Sequence, residues 1–557
     1  MTRYRSTPFI TDVYTFGLAL TGASAVACVG SPGLPGGGSM GETEGEDESG
    51  DFEPGEGTDG STGGSTAPGV DSVDGSTGQE PDPGPMGGDE CTPDGELGVV
   101  ETCAQVPSET GNFEVTTKWT FAPPHGHSWT TPLVANLSDD NGDGVIGLCD
   151  VPDIVVTTSQ GGQGNAELHV LDGVTGNERF RIDLSEELAL YATPALGDID
   201  GDGVPEIVTG WLHSHGHFGL KAFEHDGTLK WSRMATEQGP GAGGPIGLYD
   251  LDADGDAEIV FNYQVFDHEG NQLWAAATPK SGYGHKPVAA DLDGDGDLEL
   301  IMGSTALHHD GSLHFDFDAL VGERTTPQVA NFDDDPEPEI LLLSTSSAWM
   351  LEHDGSPKWG PLVLEMEGNG SGWASATVND FDGDGQMEWA KKTLRGVIVM
   401  EGDQPEMLWQ TEQFVTYAAN SGISSFDLDG DGRAEVLVAD AEEFHIRDGV
   451  TGESLTSLPR TSFGATDYPV VADIDNDGVA EILLASSQFG PALTALENPG
   501  ANWVGTRRIW NQYAYSVTNV DELGRVPSEP VDSWNATNTV LANGQLEDGV
   551  LCRPDAD

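Results

Sequence analysis

The chain has 557 residues, room for one large core or several domains. Twenty-two Lys and Arg stand against 95 Asp and Glu, a formal charge of −73, and a surface that acidic repels phosphate backbones and argues against a nucleic-acid partner. One divalent ion on each of the eight repeats described below would still leave the chain strongly acidic.

Residues 1–28 read as an export signal. Arg3 and Arg5 give a basic start, and Phe16 to Cys28 is a short apolar stretch ending in small residues. That stretch is too short for a spanning helix, which needs about 20 apolar residues. Ala25-Val-Ala-Cys28 resembles a bacterial lipoprotein box, with Ala25 where Leu is usual, and the resemblance implies a lipid on Cys28. Residues 29–90 are Gly, Ser, Thr, Pro, Asp and Glu with almost no aliphatics. Such a segment cannot bury enough apolar surface to offset its ordering entropy, so it is expected to be a disordered acidic tether. Residues 91–112 form a lead-in bounded by cysteines.

Five cysteines are present, and the four beyond Cys28 form an even set suited to disulfides outside the cytosol. Three connectivities are possible. Proximity favours Cys91–Cys103, which would leave Cys149–Cys552.

A repeat begins near residue 113. Its units start at Asp139, Asp198, Asp250, Asp291, Asn331, Asp380, Asp427 and Asp473, at spacings of 40 to 59 residues, the range of propeller blades. Each unit has an apolar run, an acidic loop, a second apolar run, and a hairpin with an aromatic beyond it, as in Phe223-Glu-His-Asp-Gly-Thr-Leu-Lys-Trp231. Asp-Gly between β-prone runs marks a hairpin. Runs that are apolar without alternation, and too short for helices, are strands buried on both faces. The fold expected is therefore all-β: a β-propeller of four-stranded blades, eight if every acidic loop marks one and seven if the irregular first unit is no blade. The stretch Phe113 to Trp119 reads as an outer strand that completes the last blade. Residues 113–500 are then the propeller and 501–557 a C-terminal strand and cap on its last blade.

Six acidic loops are complete: Asp198, Asp200, Asp202 and Glu206; Asp250, Asp252, Asp254 and Glu258; Asp291, Asp293, Asp295 and Glu299; Asp380, Asp382, Asp384 and Glu388; Asp427, Asp429, Asp431 and Glu435; Asp473, Asp475, Asp477 and Glu481. Acids at alternate positions, a glycine after the third, and an acid four residues beyond it supply the oxygens that calcium takes, six to eight at about 2.3–2.6 Å. Without a cation four clustered carboxylates repel one another. Two units depart. Asn331, Asp333, Asp335 and Glu339 begin with Asn and carry Pro336 in place of the turn glycine, which weakens that site. Asp139, Asn141 and Asp143 run into an insertion, and the late acid is Asp150 or Asp153; Asp153 is preferred because it directly precedes Ile-Val-Val.

The phrase with its flanking runs resembles the FG-GAP/VCBS repeat, related to the propeller of integrin α-subunits, over roughly residues 113–500. The resemblance implies an extracellular propeller stabilised by several structural calcium ions, used to bind carbohydrate or protein ligands or to adhere, with a minority of members attached to enzymes. The tail from Arg507 through Val520 also resembles a segment that follows such repeats in large bacterial surface proteins.

Other candidates are weaker. His213-Ser-His215-Gly-His217 with Trp211 has transition-metal ligands, but its Gly and Ser read as a loop. His125-Gly-His127 and His308-His309 offer less, and His225, His268 and His353 recur at equivalent hairpin tips as repeat residues. Arg507, Arg508, Trp510 and Tyr513 suit a sugar or peptide pocket, against the cap reading. No nucleophile elbow, phosphate loop or zinc-protease motif is present, so no catalytic residue is assigned. The reading reached is an exported, calcium-stabilised binding or adhesion module at the cell surface, reaching the membrane only through a lipid anchor. The alternative is a calcium-dependent polysaccharide lyase or hydrolase on the same fold.

Overall fold

The computed structural model describes residues 101–553, apart from 104–110, 125, 160–164, 214–216, 236–243, 277–285, 322–323, 334, 345, 365–374, 394–395, 412–421, 463–466 and 548–549. All of these belong to the unit Pro83–Asp557. The expected signal, Cys28, the acidic tether and most of the lead-in lie outside the described residues, as does His215. No described helix is long and apolar enough to cross a membrane.

The chain is all-β and propeller-like, built of four-stranded antiparallel blades. Seven sheets are separate and four-stranded: six are repeat units, and the seventh joins Glu101–Thr102 to the tail strands Gly505–Thr506, Gln545–Glu547 and Val550–Arg553. A ten-stranded sheet holds two further units of the same order, bridged by Leu188–Ala189 and extended by His127–Ser128. Numbered in chain order, the first unit is Leu133–Ala135, Asp153–Ser159, Asn165–Asp172 and Glu178–Ile182. The eighth is Val470–Ala472, Glu481–Ala485 and Leu493–Glu497, completed by Thr116–Phe121 from the start of the repeat region. The lone early strand thus takes the outer place expected of it.

Burial follows position within a unit. The second strand Glu481–Ala485 is buried from end to end, as a continuous apolar run should be, whereas outer strands such as Ser454–Pro459 are largely exposed. Neighbouring units are clasped by one recurring contact. An aromatic on seven of the eight outer strands lies against the hairpin of the next unit, and where it is Trp its indole N–H donates to a carbonyl there. The pairs are Trp119 to Gly173, Trp231 to His268, Trp274 to His309, Trp359 to Gly402 and Trp409 to Gly449. Phe180 and Phe315 pack the same way on Gly227 and Gly355. The seventh unit uses Thr456 instead, whose hydroxyl donates to the Phe113 carbonyl.

Two expectations are corrected. Among the described residues Cys103 pairs with Cys552, not with Cys91 as expected, so Cys149, itself disulfide-bonded, does not pair with Cys552. Glu101–Thr102 pairs in parallel with Val550–Arg553, which sets those two cysteines side by side although 449 residues separate them. Nor does the tail merely cap the last blade. It runs across the first strands of seven units. Trp510 pairs with Val134, Asn511 accepts from Leu196, and Gln512 accepts from Leu248. Asn538 meets Asn331, Val540 pairs with Val378, Ala542 with Ser425, and Asn543 donates to the Val471 carbonyl. Trp510 and Tyr515 stack at 4.5 Å, and Arg507 is wholly buried, donating to the Val517 and Val520 carbonyls, the Tyr515 hydroxyl and Glu522. Arg507 and Trp510 are thus core, while Tyr513 and Tyr515, also buried, line a small cleft.

Candidate cation loops

Each acidic loop is folded by its own carboxylates. In the second unit Asp198 accepts the N–H groups of Gly201, Asp202 and Gly203 at 2.8, 3.1 and 2.9 Å. Glu206 reaches back and takes the N–H of Ile199 at 3.0 Å with one oxygen, leaving the other turned toward the loop. The same bond joins Leu251 to Glu258, Leu292 to Glu299, Phe332 to Glu339, Phe381 to Glu388, Leu428 to Glu435 and Ile474 to Glu481. In the first unit Leu137 donates to Asp153 at 3.0 Å, so Asp153 holds the late place, while Asp150 gathers the N–H groups of Asp140, Asn141 and Gly147. Oxygens of Asp250, Asp252 and Asp254, and of Asp291, Asp293 and Asp295, converge within 4.8 Å. In the fifth unit Asn331 turns its amide onto the Asp335 carbonyl.

What faces the free oxygen is decided by a bulge that the sequence analysis missed. Every outer strand skips one residue in its pairing, and a bulged residue is aimed differently from its neighbours. The skipped residues are Arg179, Lys230, Leu273, His314, Lys358, Leu408, Leu455 and Lys118, each directly before the clasping aromatic or its Thr456 counterpart. Four carry a base into the loop. Arg179 meets Asp153 at 2.5 Å and also Asp140 and Asp172. Lys230 meets Glu206 at 3.1 Å with Asp200 and Glu224. Lys358 meets Glu339 at 2.9 Å with Asp333 and Glu352, and Lys118 meets Glu481 and Glu497, each at 3.1 Å, with Asp475. In these four units a protein cation lies among the carboxylates, although ligand atoms of Asp198, Asp200 and Glu206 still converge within 4.8 Å. The fourth unit has His314 at the bulge.

The third, sixth and seventh units have leucine there. Burial and then neighbouring carboxylates, with no opposing base, push Glu258 up to about 8 and Glu388 up to about 9, and Glu435 rises well above the ordinary carboxylate range. Asp427 is pushed up to about 7 by the same causes. The free oxygen of Glu388 and one oxygen of Asp429 are buried without a hydrogen-bond partner. Buried acceptors of that kind, near other carboxylates of the same loop such as Asp380 and Asp382 or Asp431, fit a hard divalent cation.

Elsewhere, a cleft of about 70 Å³ between the tail and the third, fourth and fifth units is lined by Tyr249, Lys286, Gln328, Tyr513 and Trp534, among others. The Lys286 ammonium lies 4.6 Å over the Tyr513 ring, and burial followed by the nearby Lys391 lowers it to about 7. His213 and His217 end two paired strands, Glu206–His213 and His217–Phe223, and face each other in register rather than lying in a loop.

An all-β scaffold of repeated blades carrying acidic loops is the class of protein this geometry defines. Residues 427–484, from the seventh loop through the second strand of the eighth unit, match the FG-GAP-like repeat, and the chain carries that repeat. Among solved structures it is similar to the V. cholerae biofilm matrix protein Bap1 (20% identity, TM-score 0.65, covering 81% of this chain and all of that one). It is also similar to the exotype rhamnogalacturonan lyase YesX (14%, 0.53, 79% and 85%) and to the rhamnogalacturonan lyase YesW (16%, 0.50, 78% and 83%). These likenesses concern the fold. No curated protein sequence matches the chain significantly.

Proposed function

We propose that the chain is an exported eight-bladed FG-GAP-type β-propeller, stabilised by calcium, that binds carbohydrate or protein ligands at the cell surface or in the surrounding matrix. The carrying observation is the uniform use of the eight loops. Each makes the same late-acid bond at the base of its blade, and four answer their charge with a Lys or Arg from the bulge. A cation that an ammonium replaces in the repeat serves the scaffold, so calcium on Asp250, Asp252, Asp254 and Glu258, on Asp380, Asp382, Asp384 and Glu388, and on Asp427, Asp429, Asp431 and Glu435 is structural. The Cys103–Cys552 disulfide supports an oxidising location. Cys28 as a lipid anchor and residues 29–90 as a tether complete the reading, with no nucleic-acid partner. Similarity to a biofilm matrix protein agrees with it.

A second reading, a polysaccharide lyase or hydrolase, is favoured by Lys286 in its cleft: with its pKa lowered to about 7, the neutral amine is available as a base for proton abstraction. The fold shared with two rhamnogalacturonan lyases agrees with that alternative. A glycan and surface-protein binding screen with and without calcium, read alongside substrate loss, separates the two. Binding without turnover supports the module; turnover abolished in Lys286→Met puts the enzyme ahead.

A further inference from the structure

The fourth unit breaks the pattern at two places together. In the second and fifth units the bulge lysine pairs with an acid at the end of the third strand, Lys230 with Glu224 and Lys358 with Glu352. In the fourth unit both members are histidine: His314 at the bulge and His308 in place of the acid. One basic side chain suffices as the counter-ion in the other units, so a second ring at the acid's place is not needed for charge balance. Two imidazoles facing two carboxylates make a mixed nitrogen and oxygen ligand set.

We propose that Asp293, Glu299, His308 and His314 form a transition-metal site of the zinc type, distinct from the calcium loops. One ligand atom from each of the four lies within 4.8 Å of the others. His308 Nδ1 is 2.8 Å from Glu299 Oε1, His314 Nδ1 is 4.0 Å from Asp293 Oδ2, and the two rings stand edge to face at 4.9 Å. Zinc bound at about 2.0–2.2 Å to nitrogen and oxygen in a tetrahedron spaces its ligands about 3.4 Å apart, so side-chain rotation closes the set. Imidazole selects zinc, copper, nickel and cobalt over calcium. Glu299 is fully buried and pinned by the Leu292 N–H, while His308 is 30% exposed, so the site has a fixed floor and an open mouth. The site does not depend on calcium at the other loops, and at this loop it displaces the calcium reading.

The test uses the full chain with excess calcium and cobalt(II) alone as probe. One equivalent of cobalt is expected to give visible d–d bands of a four- or five-coordinate ion, removed by zinc. The bands should vanish, with affinity falling at least tenfold, in His308→Gln and in His314→Gln, and persist in His225→Gln. His314→Lys restores the ammonium of the second, fifth and eighth units and should fold normally yet lose the bands. Absent bands in the parent chain, or bands that survive in His314→Lys, would overturn the proposal. A chain whose melting ignores calcium but whose cobalt bands require the histidines would sink the calcium reading and leave this one standing.

Discussion

The indole N–H of Trp119 donates to the Gly173 carbonyl oxygen at 2.7 Å, joining the outer strand of the eighth unit to the hairpin of the first. The same contact links most neighbouring units, but here it ties the two ends of the repeat region together. Trp119 is buried, so Trp119→Ala should cost about 3–5 kcal/mol by urea denaturation. Trp119→Phe keeps most of the packing and should lose about 1 kcal/mol for the missing donor. Equal losses in the two variants would make the hydrogen bond, rather than the packed ring, the main contributor.

The clasp also explains one glycine. Gly176 has φ +66° and sits under the same indole, where an added Cβ would come within 2.5 Å of the ring. Gly201, in the second acidic loop, has φ +74° and open space around it. Gly201→Ala should therefore cost only backbone strain, about 1 kcal/mol, and Gly176→Ala clearly more, since the ring must move. Melting of the two variants side by side checks the order.

Loops with and without a base should answer differently to calcium. Glu388→Gln should change stability in EDTA at neutral pH by less than about 1 kcal/mol, because burial already keeps that carboxyl protonated to about 9. With calcium at 10 to 100 times its dissociation constant, the parent should gain about 1.4–2.7 kcal/mol per site, and the variant one site's worth less. Glu339→Gln instead removes a partner of Lys358 and should cost about 1.5–3 kcal/mol with or without calcium. A calcium response unchanged in Glu388→Gln would remove the sixth loop from the set.

Lys392 provides a pH signature. It is buried in the sixth unit, donating to the Ala439 carbonyl, and burial lowers it to about 7 against the pull of Asp440 and Asp467. In the unfolded chain it protonates near its ordinary value of about 10.4. As pH falls from about 10 toward 7 the unfolded state binds the proton first, so this residue withdraws stability at up to about 1.4 kcal/mol per unit. Lys392→Met should gain on the parent across that window and keep a constant difference below it. Urea midpoints for both chains at several pH values measure this; parallel curves would refute it.

The acidic phrase, the Asp-Gly hairpins and the strand apolar throughout its length are local patterns, each set by a few adjacent residues. They were enough to read four-stranded units, their order and the early strand that completes the last one. The late place of Asp153 could be read from the apolar run after it. The residue that answers each acidic loop could not be read so, because it arrives from elsewhere in the chain: Lys358 from 19 residues beyond Glu339, and Lys118 from 363 residues before Glu481. Only the bulge, a feature of paired strands, turns that residue toward the carboxylates. Whether the tail's aromatic residues face a ligand or form a cap could not be read so either: packing buries Trp510, while Tyr513 is buried yet lines the cleft beside Lys286. Chain proximity misled for Cys103 as well, since its partner was chosen by a strand pairing 449 residues away. Sequence alone determined the repeated unit and its ligand-rich loops; the tertiary structure decided which loops carry their own cation, because charge is balanced through space and not along the chain.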